Sequence, residues 1–305
     1  MKAIFKNLFR VSVMLIFTST IKAQDRKTDS TGYPGDNFSL QGALQMFKKA
    51  SSPEEFEKLL NTKDNNVNNL DLNKDQKTDY IRVIDKTEKK LHAFILRVPL
   101  SEKESQDIAV IELEKTGDTS AIIQIVGDKD VYGKEMIIEP GRDTQYSSLS
   151  NYSSHKGGPS ADVYEDGNTV VVVSVWCWPS VSYVYSSVYT VWVSPWRWGY
   201  YPGWWATWRP VSWYSWYPRC GVYSTGYVTA SLYRVSGAHY LYTPYKTGSV
   251  SVTRQAGVAI GSNGVVAGAR TTVTGPAGRT ATRTTVAGAG RNGAGIIRTT
   301  GVRRW

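Results

Sequence analysis

The residues with the most specific chemistry are oxygen-bearing side chains that alternate along one short stretch. Asp71, Asn73, Asp75 and Asp79 stand at relative positions 1, 3, 5 and 9, and the backbone carbonyl of Lys77 stands at position 7. Alternate residues of a tight loop point inward, and Ca²⁺ takes six to eight such oxygens at roughly 2.3–2.6 Å. The spacing therefore predicts a calcium loop at these five residues. The alternative is a solvated Asn/Asp turn that leads into a strand.

Two positions in this stretch depart from known calcium loops. Gln76 stands where Gly usually permits a sharp turn, so backbone strain is expected there. Arg82 stands at position 12, where an EF-hand has a bidentate Glu, and this excludes an EF-hand. The stretch resembles instead the loops of FG-GAP β-propeller repeats, thrombospondin type 3 repeats and dockerins. No repeat follows, so the resemblance implies a structural ion that fastens helices to the first strand, without a propeller.

A second candidate is the aromatic stretch from Trp176 to Tyr217, which holds ten of the eleven tryptophans. Exposed rings of this kind stack on the faces of sugars, and an interleaved Arg can pair with acidic groups or stack on a ring. The predicted ligand-binding residues are Trp196, Arg197, Trp198, Trp204, Trp205 and Trp208. Two alternatives stand beside this one: anchoring at a membrane–water interface, and a compact aromatic core.

The two cysteines, Cys177 and Cys220, lie near the ends of the aromatic stretch. In an oxidising compartment they predict one disulfide, which would stabilise the fold by about 4 kcal/mol on the chain-entropy model. The alternative is two unpaired thiols. Neither Cys has a His or second Cys at zinc-ligand spacing, so no zinc site is predicted.

Residues for catalysis are poorly represented. The three histidines, His92, His155 and His239, stand in no metal or nucleophile motif. The chain also lacks a G-x-S-x-G elbow, an H-E-x-x-H pair and a phosphate-binding Gly loop followed by a helix. The sequence therefore predicts a protein that is not an enzyme.

The elements that must position these residues begin with an α+β domain at 36–140. Apolar residues at helical spacing predict a helix from Leu40 to Phe47. Ser52, Pro53 and Glu55 form a capping box with Pro at the first helical position, which predicts a second helix.

Strands follow these helices. Apolar, β-branched runs joined by short polar turns predict an antiparallel meander covered by the two helices on one face. The predicted strands are 80–85, 91–98, 107–114 and 121–126, with a weaker fifth strand at 135–140.

The start of the chain has the layout of a secretory signal peptide. Positive residues precede an apolar run at 11–17, and small Ala23 precedes a plausible cleavage point. The apolar run is shorter than the ~20 residues of a spanning helix, although an N-terminal membrane anchor is the alternative. We expect a signal peptide at 1–23, a flexible linker at 24–35, and export to the periplasm, outer-membrane surface or extracellular space.

Charge is segregated along the chain. All 26 acidic residues lie at or before Asp166, whereas 13 basic residues follow it. Segregation on this scale suggests either separate partners or attraction between the two parts. The overall charge of +10 therefore describes neither part.

A linker is expected at 141–167 and a Trp/Tyr-rich segment at 168–248. Its β-branched runs predict strands at 169–176 and 181–193, which would extend the sheet or form a hairpin. A helix hairpin dipping into a membrane is the alternative. Four prolines between Pro195 and Pro218 exclude a long regular element there.

The last part, 249–305, consists almost entirely of Gly, Ala, Thr, Val and Arg. Arg-Thr-Thr recurs from Arg270, Arg283 and Arg298, with spacings of 13 and 15 that are too irregular for a solenoid. Few large apolar side chains are present, so a disordered basic tail is expected. It would bind an envelope polyanion or polysaccharide in a salt-dependent way, or contact nothing specific. Peripheral membrane association is a further expectation, and no specific nucleic acid is predicted.

Five stretches together resemble a group of exported proteins of Bacteroidota-type bacteria. They are PEEFEKLL, NNLDLNKDQKTDYIRV, SQDIAVIELEK, IIQIVGD and WVSPWRWGYYPGWW. The resemblance spans most of the chain and supports export, but it implies no activity. The prediction is a structural or adhesive envelope protein stabilised by Ca²⁺, with a carbohydrate-binding module as the alternative.

Overall fold

The structure is a computed structural model, and it describes most of the chain beyond the start. The described residues are 30–141, 173–249, 251–261, 264–275, 280–290 and 293–303. The predicted signal peptide, residues 24–29 of the first predicted linker and residues 142–167 of the second lie outside them.

The central element is a six-stranded antiparallel sheet in which neighbours in sequence are neighbours in space. This confirms the mixed α+β class and the meander. The first five strands follow the predicted runs closely, whereas the sixth comes from the aromatic segment. The strands are β1 (Arg82–Glu88), β2 (Leu91–Pro99), β3 (Ser105–Gly117), β4 (Ser120–Gly127), β5 (Met136–Pro140) and β6 (Tyr227–Ala230).

The two predicted helices, α1 (Leu40–Lys49) and α2 (Pro53–Leu60), cover one face of this sheet. Each begins at a serine cap: the side chain of Ser39 accepts from the first turn of α1, and that of Ser52 from the first turn of α2. The apolar face of each helix is buried in the main core. The ring of Phe47 contacts Phe56 of α2 and Phe94 of β2, with ring centres 5.1 and 5.0 Å apart.

The opposite face of the sheet is covered by a later part of the chain, which includes helix α6 (Ser236–Tyr242). Buried carboxylates on this face pair with basic residues from that part. The pairs are Arg234–Glu139 at 2.6 Å, His239–Glu112 at 2.8 Å and Lys246–Asp128 at 2.6 Å. The charge segregation of the sequence thus corresponds to attraction between layers of one fold.

The start of the aromatic segment differs from the prediction of strands at 169–176 and 181–193. Residues 173–178 form no strand, helix α4 (Pro179–Val184) follows, and only Val193 makes a single bridge to Ile84 of β1. The cause is that Pro179 occupies the first turn, where Pro favours a helix. Val181 and Val184, three residues apart, then form one buried face.

Two further short α-helices lie in the described residues, α3 (Lys129–Tyr132) and α5 (Trp213–Cys220). None of the helices in the described part of the chain is long and apolar enough to cross a membrane.

The basic tail forms a second antiparallel sheet, which corrects the expectation of disorder at 249–305. Its four strands lie side by side in the order in which they follow one another along the chain. Thr and Val favour strands even where large apolar side chains are few, and backbone ladder bonds supply much of the order. The strands are β7 (Ser251–Gly261), β8 (Gly264–Thr274), β9 (Thr280–Gly290) and β10 (Gly293–Arg303).

The register of these strands brings the Arg-Thr-Thr motifs next to one another. Thr271 lies opposite Arg283, and Thr285 lies opposite Arg298. The motifs at 283–285 and 298–300 lie directly opposite each other, whereas the motif at 270–272 is displaced by one residue from that at 283–285.

Candidate binding site on the aromatic segment

The predicted calcium loop is a compact turn whose side-chain oxygens accept from its own amides. Asp71 accepts from Asp75 N at 3.0 Å and from Gln76 N at 3.1 Å, and Asn73 accepts from Asp75 N at 3.0 Å. Asp75 accepts from Lys77 N at 2.8 Å. Gln76 has a φ of 68°, so the strain expected at this position is present.

The third carboxylate of the set, Asp79, is nearly enclosed. It accepts from Leu72 N at 2.6 Å. Burial raises the pKa of Asp79 well above its usual value, and the charges of Asp71 and Asp75 raise it further. Burial and the charge of Asp75 also raise the pKa of Asp71. These carboxylates disfavour one another's charge, as cation ligands do before a cation binds.

The arrangement is nevertheless not a closed ligand shell. Among the described residues, no three His, Cys, Asp or Glu side chains converge as a metal site. The oxygens of the loop fit a hard cation by type and mutual charge, so calcium stays a prediction.

The aromatic segment is fastened directly onto this loop. Asn69 and Val211 exchange two hydrogen bonds, of 2.9 and 3.0 Å. Thr78 N donates to the carbonyl of Trp208 at 2.7 Å, and the Thr207 hydroxyl donates to the carbonyl of Thr78 at 3.1 Å. The two sites that the sequence predicted separately therefore share one surface.

Arg209, one of the two charged residues of the stretch, adds a side-chain contact to the loop. Its Nη2 donates to Gln76 Oε1 at 2.9 Å. The strained residue of the loop is thereby tied to the aromatic segment.

Tyr80, just after the loop, is the base of an aromatic cluster. Its ring centre lies 5.5 Å from Tyr201, 5.1 Å from Trp205 and 6.4 Å from Trp204. Trp204 is 46 % exposed, and the Lys58 ammonium lies 5.7 Å from its ring centre. The cluster is buried at its base and open at Trp204.

The predicted ligand-binding tryptophans are neither fully exposed nor fully buried. Trp196, Trp198, Trp205 and Trp208 are half-buried, whereas Arg197 and Trp204 are exposed. Of the ten tryptophans in the stretch, only Trp178 and Trp216 are buried. The segment is therefore a fixed surface of partly open rings.

Tyr200 is a further aromatic residue of this surface, and it was not among the predicted ligand-binding residues. Tyr200 is 62 % exposed, and the Arg197 guanidinium lies 4.2 Å from its ring centre. Arg197 and Tyr200 also exchange backbone bonds of 2.8 and 3.1 Å around Gly199, whose φ is 75°. This two-residue turn presents Trp198, and Gly199 was the signal for it.

Glu57 of α2 holds the start of the aromatic segment, and sequence reasoning missed it. Its Oε1 accepts from the hydroxyls of Tyr80 and Ser194, at 2.8 and 2.9 Å. Its Oε2 accepts from Val83 N at 2.8 Å and Trp192 Nε1 at 3.3 Å. Burial raises the pKa of Glu57. The available signal was its spacing of three from buried Leu60, which places it on the inner face of the helix.

The two cysteines are free, so the expected disulfide between Cys177 and Cys220 is not formed. They belong to different parts of the fold. Cys177 precedes α4, which packs on α1, whereas Cys220 ends α5, where Trp216 Nε1 donates to the Asp36 carbonyl at 3.0 Å. Cys177 is exposed, and burial raises the pKa of Cys220 to about 11.

Two of the histidines pair with buried carboxylates. His92 Nδ1 lies 2.9 Å from Asp85 Oδ2, which also accepts from the Tyr189 hydroxyl at 2.7 Å. His239 pairs with Glu112 on the other face of the sheet. The first pair joins neighbouring strands β1 and β2, whereas the second joins helix α6 to the sheet. His155 lies outside the described residues.

The site is thus a loop of carboxylates beside a clamped aromatic surface with exposed arginine. In comparisons with family models, curated proteins and solved structures, none matches this chain.

Proposed function

We propose that the protein is an exported envelope or surface protein with a structural and adhesive role, and that its aromatic surface binds carbohydrate. The observation that carries this proposal is the clamped backbone at 207–211 beneath partly open tryptophan rings. Rings that are already held in place lose little conformational freedom when a ligand binds. Flat aromatic faces with adjacent polar groups suit the apolar faces and hydroxyls of sugars.

Charge near the open rings favours an acidic polysaccharide over a neutral one. Lys58 lies over Trp204, and Arg197 lies over Tyr200. Both cations stand where a carboxylate or sulfate of a bound sugar would meet them, and Arg pairs well with such groups. The proposed partner is therefore an envelope polyanion of polysaccharide type.

Calcium has a supporting role in this proposal. Asp71, Asn73, Asp75, Asp79 and the Lys77 carbonyl would hold Ca²⁺ beneath the segment. Bound there, the ion would neutralise mutually repelling carboxylates and stiffen the loop to which 207–211 is fastened.

Binding of the purified chain to acidic and neutral polysaccharides, measured by calorimetry or affinity electrophoresis, tests the proposal. Trp204→Ala and the double variant Trp196→Ala/Trp198→Ala should weaken binding at least roughly tenfold, as loss of anchor residues does. Tyr240→Ala is the matched control, because Tyr240 is 76 % exposed on α6, on the far side of the sheet from α1 and α2.

Two outcomes would overturn the carbohydrate proposal. One is no binding to any polysaccharide, and the other is equal binding by the Trp204→Ala and Tyr240→Ala variants. Peripheral membrane association is the competing proposal. Co-sedimentation with anionic lipid vesicles that is lost in the tryptophan variants would favour it.

A further inference from the structure

The second sheet ends in a strand with an open edge. β10 pairs with β9 on one side, and among the described strands none pairs with its other side. The β9–β10 register runs without a shift from Gly293 to Arg303, so β10 has no bulge. It contains no Pro, and its only charged residues are Arg298 and Arg303. Natural proteins usually blunt an edge with bulges, Pro or charged side chains, because a row of unpaired N–H and C=O groups is a template for another strand.

The other edge of the same sheet, formed by β7, is in contact with the rest of the protein. Helix α3 packs against β7, so the body of the protein lies beside that edge. Arg283 of β9 also donates to the Ser30 carbonyl at 2.9 Å, through its side chain and not through a strand pairing. The available edge is that of β10.

β10 carries a motif that is complementary to itself when reversed. Arg-Thr-Thr at 283–285 runs antiparallel to Arg-Thr-Thr at 298–300, so that Thr285 faces Arg298 and Thr284 faces Thr299. Each arginine therefore meets a threonine and not another arginine, which avoids the cost of like charges placed opposite each other.

We propose that β10 pairs antiparallel with β10 of a second copy of this chain, about a two-fold axis at Thr299. In this register Arg298 faces Thr300 of the other copy, which repeats the pairing already present between β9 and β10. Ile297 faces Gly301, and every residue from 295 to 303 lies opposite a residue of the second copy. The two four-stranded sheets become one of eight strands.

The pairing also covers apolar side chains that the single copy leaves open. Ile296 is 63 % exposed and Ile297 is 69 % exposed. As neighbours in a strand they lie on opposite faces, so a second β10 would shield one isoleucine on each face. A contact in which both copies use the same surface closes on itself and gives a dimer, not a filament.

This dimer does not depend on the carbohydrate proposal, although it would place two aromatic surfaces on one particle. Two linked surfaces on a repeating polymer bind more tightly than one, without any new contact. Mass and ligand binding are separate measurements, so failure of one proposal is distinguishable from failure of the other.

Sedimentation equilibrium of the purified chain tests the dimer, over the concentration range that its solubility allows. The expected mass is twice that of the chain. Ile297→Lys/Thr299→Lys and Ile297→Glu/Thr299→Glu each gather like charges at the axis, so each should weaken association at least roughly tenfold. Val266→Lys, on the interior strand β8, is the control that should stay dimeric.

Mixing the lysine and glutamate variants in equal amounts is the deciding step. Opposite charges then meet at the axis, so a dimer should form again. A monomeric wild-type chain, double variants that stay dimeric, or a mixture that stays monomeric would each overturn the proposal. The mixture also excludes misfolding as the cause of dissociation, because misfolded copies would not re-form a dimer.

Discussion

Asn69 and Val211 lie 142 residues apart in sequence and exchange two hydrogen bonds, as two paired residues of an antiparallel sheet do. Asn69 Nδ2 donates to the Val211 carbonyl at 3.0 Å, and Val211 N donates to Asn69 Oδ1 at 2.9 Å. A side-chain amide thus satisfies both backbone groups of a residue in an irregular segment. This is how a Pro-rich stretch, which cannot form its own ladder, is held in one conformation.

Asn69→Ala should lower the free energy of unfolding by about 1–3 kcal/mol, because it leaves the backbone groups of Val211 without their partner. Amide exchange across 207–211 should accelerate more than exchange in β3. Urea unfolding and hydrogen exchange measure the two effects. Thr190→Ala, at an exposed position of the same segment, is the control. A variant within roughly 0.5 kcal/mol of the wild type would show that the clamp contributes nothing.

Replacing Glu57 by Gln or by Leu should lower the free energy of unfolding by different amounts. Glu57→Gln can place its NH₂ toward the hydroxyls of Tyr80 and Ser194, which rotate and accept, and keep its oxygen for the N–H donors. Glu57→Leu leaves all of these donors unsatisfied. We expect a loss of about 1–2 kcal/mol for Gln and at least ~3 kcal/mol for Leu, measured by urea unfolding.

The matched controls for this series are Glu54→Gln and Glu54→Leu, on the exposed side of the same helix. Both should lie close to the wild type. Equal effects at the two positions, or a Glu57→Leu variant as stable as the Glu57→Gln variant, would contradict a stabilising role for the four hydrogen bonds that Glu57 accepts.

Much of the first sheet and its helices could be predicted from local patterns. Ser39 and Ser52 are followed by apolar residues at helical spacing, and both helices begin there. Runs such as DIAVIELE sit inside the observed β3. These signals lie within a few residues of one another, so they survive the loss of tertiary context.

The errors share a cause. Val181 and Val184 fit a strand and also one face of a helix, and the packing of α4 on α1 decides between them. Glu112 reads as the polar residue of a half-exposed strand, yet His239 and α6 cover it. The same holds for the adjacency of the loop and the aromatic surface. Contacts between residues more than a hundred positions apart leave no local pattern.

Calcium should stabilise the wild-type chain. With free Ca²⁺ at a hundredfold excess over its Kd, the gain would be about 2.7 kcal/mol, and EDTA would remove it. Asp75→Asn keeps an oxygen but removes one ligand charge, so the difference in melting temperature between Ca²⁺ and EDTA should shrink in this variant. Asp118→Asn, in an exposed turn between β3 and β4, is the charge-matched control. Scanning calorimetry that shows no change of melting temperature with Ca²⁺ in the wild type would contradict calcium binding at this loop.

His239 gives the fold a pH dependence whose direction follows from its partners. The hydrogen bond to Glu112 raises the pKa of His239 above its usual 6.5, with help from Glu135, whereas burial and Lys246 act against it. The folded state thus holds the proton more tightly than the unfolded state does. The resulting stability is complete below the usual pKa and is lost as the pH rises through the raised pKa.

His239→Gln keeps a polar side chain that can donate to Glu112 but cannot carry a charge. The difference in free energy of unfolding between the wild type and this variant should therefore be largest near pH 6 and narrow toward pH 9. Groups that both chains share, such as Asp128, largely cancel in the difference. Urea unfolding at several pH values measures it, and an NMR titration of His239 gives its pKa directly. A difference that widens as the pH rises, or a His239 pKa below 6.5, would mean that burial outweighs the carboxylate.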